Sequence, residues 1–237
     1  MRFPSRLLAA NMAFALLLWA ALVVLVAVVG AVIAINGSLT ESAWEKAAQV
    51  PRWYALFVGV ALVREYLPMY IAHGQTRRQF GAQGAVTVAL FAPFLALLLV
   101  LGYLLETGIY ALAGLEQALG QVHLFTDPGQ LPVVFTEYLV EFLAWIVAGA
   151  FMGAGFYRWR EGGVFTIPVG VGLVLLAEST VGPGLRLPFL LGRLGRLGLD
   201  LPKSPAVALA IGLAVLLAGL ALTWSIIRDV PLRNRWS

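Results

Sequence analysis

Long apolar runs alternate with short polar breaks along the chain. The runs cover roughly residues 12–35, 52–72, 84–105, 132–157, 164–181 and 205–227, each about the length that crosses a hydrocarbon layer about 30 Å thick. They predict an all-α polytopic membrane domain spanning 1–237, with six transmembrane helices and both termini on one face. The first run is too long for a signal-peptide core and lacks a small-residue cleavage site, so it reads as a retained helix. Before it, Arg2 and Arg6 beside Phe3, Leu7 and Leu8 suit a surface-lying stretch or a solvated tail.

The breaks carry their own local signals. Asn36–Val50 has room for one short helix starting near Thr40 to Ser42, and Pro51 opens the second run where a first-turn proline is tolerated. Pro68, inside that run, has no N–H for the carbonyl of Arg64, so a kink or local opening is expected there. Glu106–Leu131 is a long connection in which Tyr110–Leu119 reads as an interfacial helix, with Glu116 and Gln117 on its polar side. Gly182-Pro183-Gly184 ends the fifth run. A basic segment follows, Arg186 to Lys203, repeating Leu-Gly-Arg within Leu191–Gly198.

Composition agrees: 61% of the 237 residues are hydrophobic, 12% are charged, and the mean hydropathy is +0.89. These values lie far from those of a soluble domain. Cysteine is absent, which removes disulfides, thiolate nucleophiles and cysteine metal sites. The sequence pI is near 9.7, but the 16 Lys and Arg cluster at the ends of apolar runs and line no single face. Lipid headgroups and topology explain them better than nucleic acid. With the N-terminus inside, Arg2, Arg6, Arg77, Arg78, Arg158, Arg160, Arg228, Arg233 and Arg235 fall on the cytoplasmic face. Lys46, Arg52, Arg186, Arg193, Arg196 and Lys203 then fall outside. The balance favours cytoplasmic termini, with the Arg186–Lys203 loop fitting least well.

Catalytic and metal-binding patterns are missing from the sequence. No phosphate-binding G-x-x-x-x-G-K-[ST] occurs, and His73 and His123 fall on opposite faces without H-E-x-x-H spacing. We therefore expect no enzyme, and no metal or cofactor on this chain. Polar residues inside the apolar runs are the remaining candidates: Arg64, Glu65 and Pro68 in the second, Glu141 in the fourth, Glu178 in the fifth. Arg64 lies roughly 18 Å and Glu141 roughly 14 Å from the outer ends of their helices, so the two are expected to pair.

One polar stretch stands out: His73-Gly74-Gln75-Thr76-Arg77-Arg78-Gln79-Phe80, between the second and third runs. Gly74 suits a turn, Thr76 a helix cap and Phe80 an anchor, while Arg77 and Arg78 suit acidic partners. The stretch resembles the Gly-x-[Ser/Thr]-Arg-[Arg/Lys]-x-x-[Phe/Leu] segment of type 2 ABC exporter permeases, and the six-run architecture resembles theirs throughout. The resemblance implies a bacterial cytoplasmic-membrane permease working with a second permease chain, identical or related, and two copies of an ATP-binding subunit. ATP and magnesium would sit on that subunit. His73, Gly74, Gln75, Thr76, Arg77, Arg78 and Phe80 would form a short coupling helix docked on it. The substrate would be an amphipathic drug, peptide or lipid, and Glu178 would meet it or close its exit. The rival readings are an ion-coupled secondary transporter using Glu65, Glu141 or Glu178, and a non-transporting scaffold or sensor. The first calls for inverted repeats, which the sequence does not display.

Overall fold

The computed structural model describes residues 5–36, 41–114, 117–182 and 201–230. Among these residues the chain is helical, with one isolated bridge between Glu41 and Ala118. Helix α1 covers Ser5–Asn36 and α2 covers Ala43–Ala47; α3, Gln49–Ala61, runs through a π-turn, Leu62–Tyr66, into α4, Leu67–Ala72. Helix α5 covers Arg77–Ala113 and α6 covers Leu131–Trp159. A 3₁₀ turn, Arg160–Phe165, then leads into α7, Thr166–Val181, and α8 is Pro205–Ile227.

Five helical runs are long and apolar enough to cross a membrane: Leu8–Val32, Ala43–Ala72, Arg77–Ala113, Leu131–Val181 and Pro205–Ile227. The expected fourth and fifth runs thus form one continuous helical stretch. Within it α7 folds back along α6: Thr166 lies against Gly155, Gly170 against Met152, and Glu178 against Trp145. The reversal is made by the 3₁₀ turn and by Arg160, whose φ of 53° is rare for a residue with a Cβ.

The short helix expected after Asn36 is α2, capped by Ser42, whose hydroxyl accepts from Glu45 N at 3.1 Å. The opening expected at Pro68 takes the form of the π-turn just before it. Two expectations are corrected. The third run does not stop near Leu105, because α5 continues into the first residues of the predicted interfacial helix, to Ala113, and ends on Gly114 at φ 65°; Gln117–Leu119, the end of that predicted helix, are not helical. There is also no separate coupling helix, since α4 ends at Ala72 and Arg77 already opens α5. Arg2, Glu116, the Leu191–Gly198 repeat, Arg186, Arg193, Arg196, Arg233 and Arg235 lie outside the described residues.

Helix α6 is the axle of the bundle. Lipid tails are as apolar as leucine, so helices in a bilayer associate through close packing of small residues more than through hydrophobic burial. Along α6, Gly149 and Gly153 face the backbone of α3 at Leu56 and Val60, while Gly59 of α3 faces the backbone at Ile146. A Cβ at any of the three would run into a main-chain atom, so the two helices touch backbone to backbone. On another side Val140 and Val147 of α6 fill the spaces over Gly212 and Gly219 of α8. This leaves Tyr138, Phe142, Ile146, Glu137 and Glu141 fully buried. Helix α1 is peripheral, tied on by Trp19, whose indole N–H donates to the Leu98 carbonyl at 2.7 Å.

Candidate functional site

Two polar constellations occupy opposite ends of the α6 axle. At the end where α6 begins, acidic residues are drawn inward. Glu106 of α5 reaches the N-terminus of α2: its carboxylate accepts from the Ser42 hydroxyl at 2.5 Å and from the N–H groups of Ala43 and Trp44 at 2.8 and 2.9 Å. A carboxylate is favourable against the unpaired N–H groups of a helix start. Gln117 donates to the same carboxylate at 2.6 Å.

His123 stands between two further carboxylates. Its Nδ1 lies 2.6 Å from Glu137 of α6, and its Nε2 makes a looser ion-pair contact, 3.3 Å, with Glu45 of α2. The same carboxylates hold the surrounding loop by its backbone: Gly120 N donates to Glu45 at 2.8 Å and Leu124 N to Glu137 at 2.7 Å. The His123 side chain is only 1% exposed, and the Phe125 ring stacks on it. Burial by itself would depress its pKa. The hydrogen bond and charge of Glu137, then those of Glu45, outweigh that and leave the pKa raised. The cluster staples residues 117–130 across α2 and α6.

Deeper in the bundle, Arg52 of α3 and Glu141 of α6 form a two-pronged pair. Arg52 Nε donates to Oε2 at 2.8 Å and Nη2 to Oε1 at 2.9 Å, while Nη1 donates to Gln49 at 3.1 Å. This corrects the expected pairing of Glu141 with Arg64. Equal depth was the ground for that expectation, but Arg64 faces outward and Glu65 is exposed beside it. The buried positions of α3 and the π-turn are Pro51, Arg52, Ala55, Val58, Gly59, Leu62 and Val63, a helical stripe that includes Arg52 and leaves Arg64 out.

Glu178 of α7 is 2% exposed and accepts from the Trp145 indole N–H at 3.0 Å. Its other oxygen is buried with no hydrogen-bond partner among the described residues. Tyr103 and Tyr138, joined hydroxyl to hydroxyl at 2.9 Å, complete the interior polar set. Of these groups only Glu141 and Glu178 were expected as interior polar sites. Glu45, Arg52, Glu106 and Glu137 were missed, although Glu137, Glu141 and Trp145 recur at the spacing of one helix face.

The opposite end presents the polar elbow. Gly74 turns at φ 79°, and Thr76 caps α5 in a capping box: its hydroxyl accepts from Gln79 N at 3.2 Å, and Gln79 Oε1 accepts from Thr76 N at 2.9 Å. His73, Gly74, Thr76, Arg78 and Gln79 are exposed, and Gln75 is half-buried. Phe80 does not face outward as an anchor for a partner. It is 3% exposed, edge-on to Tyr70, and packed with Val63, Leu67, Ile226 and Ile227. Arg77 is also committed within the chain: its Nη2 donates to the Val230 carbonyl at 2.6 Å, as Arg158 Nη1 does to Ile226 at 3.1 Å. Arg158 thereby satisfies a carbonyl in the last turn of α8, and Arg77 one in the short segment just after it.

Among the described residues no three His, Asp or Glu side chains are arranged to hold a metal ion. Compared with protein-family models, with curated proteins and with solved structures, the chain matches none.

Proposed function

We propose that the chain is the membrane-spanning permease subunit of an ATP-driven ABC exporter, carrying an amphipathic drug, peptide or lipid-like substrate across a bacterial cytoplasmic membrane. In this reading the α6–α7 reversal separates two crossings, giving six, and both termini are cytoplasmic. A second permease chain and two ATP-binding subunits complete the transporter.

The observation that carries the proposal is the elbow at Gly74–Phe80. Its outer surface offers His73, Arg78 and Gln79 to a partner. Its root is fixed by Phe80 in the bundle and by Arg77 on the end of α8. A force applied to such a corner moves the start of α5 and the end of α8 together, which is what a coupling element has to do. The buried Phe80 dictates which substitutions test it, because Phe80→Ala would loosen the bundle itself. Replacing His73 and Arg78 with Ala should abolish co-purification of an ATP-binding protein from native membranes while leaving yield and melting temperature near wild type. Undiminished recovery of that protein with the double variant would sink the docking assignment.

A second reading, ion-coupled transport, is favoured by Glu178, a buried carboxyl with one oxygen unpartnered among the described residues. It predicts substrate flux driven by a pH gradient in proteoliposomes without ATP, abolished by Glu178→Gln. The exporter reading predicts no such flux.

A further inference from the structure

Beside the reversal between α6 and α7 lies an open polar recess of about 460 Å³, lined by Arg64, Phe156, Tyr157, Arg160 and Glu161. Neither the docking elbow nor the interior acid cluster uses it. Its two guanidinium groups come from different elements: Arg64 from the π-turn that precedes α4, Arg160 from the turn that ends α6. Among the described residues neither arginine, nor Glu161, has a hydrogen-bond or ion-pair partner. Tyr157 is the fourth polar residue lining the recess, and its hydroxyl is buried without a hydrogen-bond partner among the described residues.

Of these groups the buried hydroxyl is the one that is costly while it has no partner. An arginine set several turns inside a membrane helix must carry its charge to the interface or meet a counter-ion. Arg64 does the first, since it shares its recess with Arg160 at the very end of α6. The π-turn is the device that lets it, and π-turns recur at binding sites. Arg160 is held at a φ of 53° that a side-chain-bearing residue rarely adopts, so its direction is imposed by the reversal.

We infer that this recess binds a phosphate group, through Arg64 and Arg160 with the Tyr157 hydroxyl as a further donor. Guanidinium forks match phosphate oxygens two at a time, and basic pockets between membrane helices take lipid headgroups. Glu161 keeps the net charge of the recess at one positive unit. It would disfavour a bare dianion and accept a hydrogen bond from a hydroxyl or ammonium carried next to the phosphate. A phosphodiester headgroup therefore fits better than inorganic phosphate, and the two sources are separable.

The test uses the full chain in non-ionic detergent, titrated with dihexanoyl phosphatidylglycerol and, separately, with inorganic phosphate, binding being read by calorimetry. We expect saturable lipid binding that falls at least tenfold in the Arg64→Gln/Arg160→Gln double variant and several-fold in Tyr157→Phe. Inorganic phosphate should bind more weakly, and Glu161→Gln should narrow the gap. Phosphate and lipid binding equally well, both lost in the double variant, would assign the site to a free anion. Lipid binding unchanged in the double variant, or no saturable binding of either probe, would overturn the proposal. The substituted arginines are exposed, so an unchanged melting temperature without ligand certifies the variant. Because the elbow is untouched, failure here leaves the exporter reading standing, and failure of that reading leaves this one.

Discussion

The two ends of the α6 axle treat charge in opposite ways. At one end Glu45, Glu106, Glu137 and Glu141 are buried, and Arg52, His123, backbone N–H groups and side-chain donors are folded in to meet them. At the other end Arg64, Arg78 and Arg160 stand exposed without described partners, while Arg77 and Arg158 are tied to backbone carbonyls and Arg228 pairs with Asp229 at 2.9 Å. The first arrangement is closed: its hydrogen-bonding capacity is largely spent inside, which locks α2, α3, α5 and α6 and the loop 117–130 into one geometry. The second leaves three of its cations, Arg64, Arg78 and Arg160, on the surface. Substitutions should therefore act on stability at the first end and on binding at the second.

Arg52 offers the strongest way to break that contrast. Arg52→Leu strands Glu141 as a buried, uncompensated carboxylate and should cost about 3–5 kcal/mol, seen as a large fall in melting temperature or in recovered protein. Arg52→Leu with Glu141→Leu should regain most of the loss, since a well-packed apolar pair often replaces a buried ion pair at little cost. If the double variant is no better than the single one, the loss comes from packing around Arg52 and not from the pair.

His123 should come next. His123→Gln leaves Glu137 with a weaker partner and Glu45 with none from the ring, at a cost of about 1–3 kcal/mol. The folded state raises the His123 pKa above its ordinary value of about 6.5, despite burial, through Glu137 and Glu45. Its protonation therefore stabilises the fold fully below about pH 6.5, and that contribution is lost as pH rises through the raised value. The melting temperature of the wild type should decline over this range, and His123→Gln should flatten the decline. An equally steep profile in the variant would move the titration to another group.

Much of this was open to a reader of the sequence. The apolar runs predicted the helices, Ser42 and Thr76 marked two helix starts, Gly74 marked the turn, and Pro68 marked the disturbance in the second run. The misses share one cause: depth along a helix was used without direction around it. Arg64 and Glu141 match in depth, yet Arg64 lies off the stripe shared by Ala55, Gly59 and Leu62, and Arg52 lies on it. Phe80 has the same history. A large aromatic in a polar stretch reads as an anchor for a partner, but its spacing from Thr87 and Phe91 places it on the buried face of α5. The α6–α7 reversal was hidden for another reason. Its polar signal, Arg158-Trp159-Arg160-Glu161, is that of an ordinary loop, and only the backbone at Arg160 shows how short the turn is.

The neighbouring arginines of the elbow give the finest test of the contrast, because they differ by one position and by almost nothing in chemistry. Arg77 bonds the Val230 carbonyl and is half-buried; Arg78 is exposed. Arg77→Ala removes a charge-assisted hydrogen bond from the end of α8 and should cost about 1–2 kcal/mol, read as a lower melting temperature in detergent. Arg78→Ala touches no such bond and should stay within about 0.5 kcal/mol of wild type. In a pull-down that tests for the proposed ATP-binding partner the ranking should invert, with Arg78→Ala losing more of any such protein than Arg77→Ala. Were Arg77→Ala to dominate both measurements, the elbow would serve to hold α8, and the free face of Arg78 would have no part in docking.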